Sequence, residues 1–202
     1  MNPLYLGTRE RRLFAVYEPA ATKDRRTRAA VLCHPWGAEY VYAHRTLRQL
    51  AVKLSASGFH TLRFDYFGTG DSGGEDSEAN PAEAESDVES AIEGIQDMVG
   101  VTRVALIGLR LGATLAARTA MRRKENVEAL VLWDPVVRPE EAAGMSGGLP
   151  ARSLLLLTGT PAVQLPGVTA ESMSAPCPWV EDATITGAVP VRVIQRITEW
   201  LA

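Results

Sequence analysis

Histidine is scarce in this chain. It occurs three times, as His34, His44 and His60, and never after residue 60. A base supplied late in the chain therefore cannot be an imidazole. Cysteine is rarer still, with only Cys33 and Cys177. Two such distant thiols make neither a disulfide framework nor a metal-ligand spacing, so a reducing compartment is expected and no metal or cofactor. No apolar run reaches the length of a membrane span, and the opening MNPLYLGTRERR lacks the apolar core of a signal peptide. A cytoplasmic protein with no membrane partner is the expectation. A dominant charge is also missing. The net charge is −3, with 22% charged residues, which gives no argument for nucleic acid. The basic clusters Arg9, Arg11, Arg12 and Lys23, Arg25, Arg26, Arg28 flank short apolar runs and read as solvated hairpin loops. Repeats and low-complexity linkers are absent, so residues 1–202 are expected to form one domain.

What the sequence does hold is alternation. AAVLC (29–33), HTLRF (60–64), RVALIG (103–108), ALVLW (129–133) and SLLLLTG (153–159) are short, apolar and stopped by turn residues. Nearly continuous hydrophobicity of that length suits strands buried on both faces of a parallel sheet. Between them lie helical stripes: Leu47, Leu50, Ala51 and Leu54, then Val88, Ala91, Ile92, Ile95 and Met98. The last segment, PVRVIQRITEWLA, places Pro190 at a first helical position with Ile194, Ile197 and Leu201 on one face. The expected fold class is α/β, a mostly parallel sheet with helices on both faces and a minimal or absent cap. The first thirty residues read as an antiparallel hairpin added to one edge. Residues 66–80 form a loop rich in Gly and acids, and residues 135–151 leave room for at most a short helix.

Three motifs follow three successive buried strands: CHPWG (33–37), FDYFGTGDSGG (64–74) and GLRLG (108–112). In this order they resemble the α/β-hydrolase superfamily, in its serine aminopeptidase-like branch. The GLRLGA segment and the LWDPV strand end are also similar to hydrolase-like proteins found with exosortase systems. The resemblance covers nearly the whole chain. It implies a strained turn of the form G-x-S-x-G, in which a serine nucleophile is lifted above the sheet. Gly108 and Gly112 supply the small flanking residues, but the middle residue is Arg110. A guanidinium stays protonated and has no lone pair to offer.

The resemblance further implies an oxyanion hole built from the N–H groups of Leu111 and Trp36, since Pro35 has no N–H. The acid position, in TGTPAVQLP, aligns with Ala162, and no late histidine exists to serve as base. A degenerate triad of this kind implies a protein that is not a conventional serine hydrolase. The expected function is a pseudoenzyme that binds a ligand or a partner while keeping an anion site with Arg110. A repurposed enzyme performing elimination or cyclisation on a carbonyl compound is the alternative, and an esterase or thioesterase with a displaced nucleophile ranks below it. The partner would be a small carbonyl- or carboxylate-containing molecule or another protein.

The ligand-binding candidates are Trp36, Arg110, Leu111, His34, Tyr66 and Asp134. Trp36, Tyr66, Phe67, Trp133 and Trp179 are expected to line a pocket. Two readings of Arg110 stand side by side: it could grip a ligand anion beside free N–H groups, or it could fill the old cleft by pairing with Glu181 or Asp182. GDSGG (70–74) spells a protease nucleophile loop, but in a strand–helix alternation Ser72 reads as a turn residue, with Asp65 and Asp71 fixing the turn. His34 is expected to be structural, its ring bonded to backbone. Asp134, without a histidine partner, is expected to pair or cap.

Overall fold

The computed structural model describes residues 1–21, 27–145, 147–159, 163–180 and 188–202. Its strands are β1 (Asn2–Gly7), β2 (Arg12–Glu18), β3 (Arg28–Cys33), β4 (Phe59–Phe64), β5 (Val104–Leu109), β6 (Val127–Trp133), β7 (Ser153–Leu157) and β8 (Thr169–Ser172). The helices are α1 (Ala38–Ala56), α2 (Ala84–Val99), α3 (Leu111–Arg122), α4 (Pro139–Met145) and α5 (Val191–Leu201). Among the described residues the strands form a single sheet in the order β1-β2-β4-β3-β5-β6-β7-β8. Only the first hairpin departs from parallel pairing: β1 runs antiparallel to β2, and β2 antiparallel to β4.

Burial follows the sequence pattern. Every residue of β5 is buried, as are Ala29–Cys33 of β3, because both strands have a strand on each side and helices on each face. The edge strand β1 buries only Leu6. One helical layer holds α1 and α5 over Leu32, Ile107 and Val131, and the other holds α2 and α3 over Val31, Leu106 and Leu130. Successive side chains on a strand point to opposite faces, so both layers draw on the same strands.

The connections place a crevice. From β3 the chain passes through α1 to β4 on one side, then through α2 to β5 on the other side of β3. Order therefore reverses between β3 and β5, and a ligand crevice belongs at their carboxyl ends. The segments that emerge there are HPWG and GLRLG.

The expected elements are present, with differences of detail. Pro190 precedes the last helix as its cap instead of opening it, with φ −75°. Residues 135–151 contain the short helix α4, and no cap domain occurs among the described residues. Strand β8, with sequence TAES, was not foreseen, since a mostly exposed polar edge strand has no hydrophobic pattern. No described helix is long and apolar enough to cross a membrane.

Candidate functional site

GLRLG forms the turn between β5 and α3. Arg110 sits there with φ 58° and ψ −125°, a region that disfavours side chains. Holding it there costs on the order of 1–3 kcal/mol, which the surrounding structure must offset. Its N–H donates to Trp133 O at 3.0 Å, and its carbonyl accepts from Ala113 N at 3.0 Å. The flanking glycines allow the close approach. A Cβ on Gly108 would lie 2.3 Å from Ala113 Cα, and one on Gly112 would lie 2.3 Å from Cys33 O. Only hydrogen fits at either position. The spacing of the two glycines is thus explained by backbone packing, whatever residue stands between them.

The Arg110 side chain is 17% exposed and lies against α1. Its Nε donates to Glu39 Oε1 and Oε2 at 3.2 and 3.3 Å, and its Nη2 donates to Oε1 at 3.1 Å. Nη1 donates to the Asp134 carbonyl at 3.3 Å, and the guanidinium carbon stands 5.3 Å from the Trp179 ring centroid. One edge of the fork is therefore occupied by a carboxylate from the first turn of α1. Glu181 and Asp182, the partners considered from sequence, lie outside the described residues, as does Ala162. Glu39 was missed because a pairing across 71 residues leaves no local pattern.

The HPWG loop closes the other side. His34 is 4% exposed, and its Nδ1–H donates to Pro35 O at 2.6 Å, because a carbonyl can only accept. Burial lowers its pKa to about 4, against the raising effects of the Pro35 carbonyl and the Asp65 charge. The ring is neutral at pH 7, with Nε2 buried and unpartnered among the described residues. This agrees with the structural role expected of it. Trp36 is half-buried and stacks on Tyr66, centroids 5.4 Å apart. Among the described residues no hydrogen bond engages the N–H of Trp36 or of Leu111.

Several expected site residues are elsewhere engaged. Tyr66 is fully buried and donates its hydroxyl to His34 O at 3.2 Å, so it supports Trp36 from behind and does not line a pocket. Trp133 is equally buried, with its indole N–H donated to Thr158 Oγ1 at 3.0 Å. Phe67 lies under the Arg11 guanidinium, 4.5 Å from ring centroid to carbon. The aromatic residues expected in one pocket thus divide between packing and rim.

Asp134 is fully buried with φ 44°. Its carboxylate accepts from Thr158 N at 3.0 Å and from Thr158 Oγ1 at 2.6 Å, which clamps the end of β7 to the end of β6. That is the capping role expected for it. Ser72 is a turn residue: its hydroxyl donates to Asp65 O at 2.6 Å and accepts from Phe14 N at 2.9 Å. Asp65 fixes the same turn by accepting from Asp71 N at 3.0 Å, while the Tyr40 hydroxyl donates to its other oxygen at 2.6 Å. His44 lies on α1 and His60 on β4, where its Nδ1 meets the Tyr17 hydroxyl at 2.5 Å.

Neither thiol is activated. Burial pushes Cys33 up to about 12, and burial with the Asp134 charge raises Cys177 despite the opposing Thr158 hydroxyl and Arg110. A raised pKa starves a thiol of its nucleophilic form. Among the described residues no group of three His, Cys, Asp or Glu side chains is placed to hold a metal ion.

The family described as serine aminopeptidase, S33, matches residues 25–186. Among solved structures, an α/β serine hydrolase homologue from Coxiella burnetii has a TM-score of 0.76 at 17% identity, covering 100% of this chain and 97% of that one. A serine hydrolase without a lid from Xanthomonas campestris has a TM-score of 0.73 at 17% identity, covering 99% and 93%. A candidate α/β hydrolase from Agrobacterium tumefaciens has a TM-score of 0.76 at 19% identity, covering 99% and 94%. At such identities the likeness shows the fold. No match is found among curated proteins.

Proposed function

The chain belongs to the serine aminopeptidase S33 family, and from that premise we propose that it binds a carbonyl-bearing ligand without hydrolysing it. The observation that carries this reading is Arg110 in the strained turn between Gly108 and Gly112, tied down by Glu39. The turn has the form that lifts a nucleophile above the sheet, and the residue lifted is a cation without a lone pair. Ala162 and the lack of any histidine after residue 60 remove the acid and the base from the same reading.

The N–H groups of Leu111 and Trp36 are the donors this reading assigns to the ligand. Leu111 opens α3, where the partial positive charge of the helix end adds to its N–H. Such donors suit a carbonyl oxygen. The Glu39 carboxylate shapes which ligand fits. An anion at Arg110 must share the fork with Glu39 or displace it, and two carboxylates on one guanidinium repel each other. A neutral carbonyl compound meets no such conflict, so it is favoured over a carboxylate.

The test is covalent labelling together with turnover. A fluorophosphonate probe is expected to modify no serine, and p-nitrophenyl acetate and short acyl thioesters are expected to turn over at the background rate. Arg110→Ser is expected to stay inactive, because a serine without base or orienter loses several orders of magnitude in rate. Labelling of any serine in the native protein, Ser72 included, overturns the reading. Strong esterase activity in Arg110→Ser would reveal a base that the reading lacks, with His34 the first suspect.

A further inference from the structure

A cavity of about 400 Å³ opens between the start of α1 and the loop after β4, bordered by Trp36, Tyr40, Val41, Thr69 and Asp76. That volume falls in the lower part of the range used by small-molecule sites. Its inner wall is aromatic and held in place. Trp36 is braced by its stack on Tyr66, with 27° between the ring planes, and Tyr40 is tied through its hydroxyl to Asp65 at 2.6 Å. The facing wall is backbone. Gly68 and Gly70 have φ +74° and +55°, and a Cβ on either would strike Ala79 N at 2.7 Å or Asp65 Oδ2 at 2.2 Å. The loop is therefore folded tightly on itself, and these two positions send no side chain into the space before Trp36. Val41, 70% exposed, stands on the rim.

We propose that this cavity takes a planar aromatic ring carried by the ligand whose carbonyl meets the Trp36 N–H, so that the ligand class is a neutral aryl carbonyl compound. The inference rests on the non-hydrolytic binding reading above. Trp36 connects the two parts in this proposal: its backbone N–H is the donor assigned to the carbonyl, and the same residue borders the cavity. A ring stacked on an immobilised indole gains from area and from quadrupole geometry without ordering a flexible side chain. Asp76 on the rim and the Glu39–Arg110 pair argue against a negatively charged ring substituent, since no Lys or Arg among the described residues borders the cavity.

Ligand-observed saturation-transfer NMR with benzamide and acetamide tests this, because the two share a carbonyl and differ by the ring. Benzamide is expected to bind about tenfold tighter or more. Val41→Trp, at an exposed position that leaves the fold undisturbed, is expected to fill the cavity mouth and abolish that advantage while the melting temperature stays unchanged. Equal binding of the two amides, no transfer from benzamide, or a benzamide preference that survives Val41→Trp each overturns the proposal. The two readings fail separately. Turnover of p-nitrophenyl acetate with the benzamide preference intact would sink the non-hydrolytic function and leave the cavity's ring preference standing. Inactivity towards esters without a benzamide preference would sink the cavity proposal alone.

Discussion

His34 shows how a buried residue couples the site to pH. Its ordinary pKa of 6.5 falls to about 4 in the folded protein, chiefly because burial disfavours the charged ring. Above pH 6.5 both folded and unfolded chains hold it neutral. Between 6.5 and 4 only the unfolded chain takes up the proton, so stability falls as pH falls through that window and levels off below it. Across the window the loss attributable to His34 is on the order of 3 kcal/mol. Urea midpoints measured from pH 7.5 down to pH 4, for the native protein and for His34→Gln, are expected to give a difference that shrinks as the pH drops. A difference that stays constant with pH would show that His34 is not held neutral. At this scale the sequence was informative about types and silent about partners. Arg110 stood out because Gly108 and Gly112 flank it at the spacing of a nucleophile turn, while Asp134 and His34, read both as ligand candidates and as structural residues, are bonded to Thr158 and to the Pro35 carbonyl. Glu39 could not be read, because nothing links it to Arg110 before α1 and the β5–α3 turn are brought together.

Elements meet here at distances that only glycine permits, and two glycines separate contact from conformation. Gly112, on the first turn of α3, has no positive φ, yet its Cβ would lie 2.3 Å from Cys33 O and 2.4 Å from His34 O. Gly100, which ends α2, has φ +72° and open space around it. Gly112→Ala is thus expected to cost about 3 kcal/mol or more, since helix and strand must separate. Gly100→Ala is expected to cost about 1 kcal/mol, the price of a left-handed residue. Urea unfolding of both variants checks the ranking, and comparable losses would mean that α3 does not rest against β3 as described. The elements themselves were readable wherever burial imposed a pattern. β3, β5, β6 and β7 announce themselves as mostly apolar runs, because a strand covered on both faces has little use for polar residues, whereas β4 carries His60, Thr61 and Arg63. β8 does not, because its side chains face mostly water and only its backbone joins the sheet. The acidic and basic residues of α2 and α3 likewise gave no hint that Glu89 would bridge Arg122 and Arg123 between the two helices.

Across the whole molecule, sheet order decides what gathers at one edge. The motifs HPWG and GLRLG lie far apart in sequence, and placing β3 beside β5 brings them to the same crevice. A mostly parallel sheet followed from strand–helix alternation, although the order of its strands came only with the structure. The division of the aromatic residues did not follow from it, because periodicity cannot tell a ring that lines a crevice from one that supports it. That division has an optical consequence. Of the four tryptophans, Trp133 and Trp179 are buried at 0% and 6% exposure, while Trp36 and Trp200 are half-buried. Acrylamide is therefore expected to quench only part of the native fluorescence, leaving a protected, blue-shifted fraction from Trp133 and Trp179. Uniform quenching of all four would contradict the packing of Trp133 beneath Thr158. The accessible fraction contains Trp36, at the crevice, and the protected fraction contains Trp133, in the core. A single cuvette can thus follow events at the crevice and the collapse of the core as two separate signals, without a label on the protein.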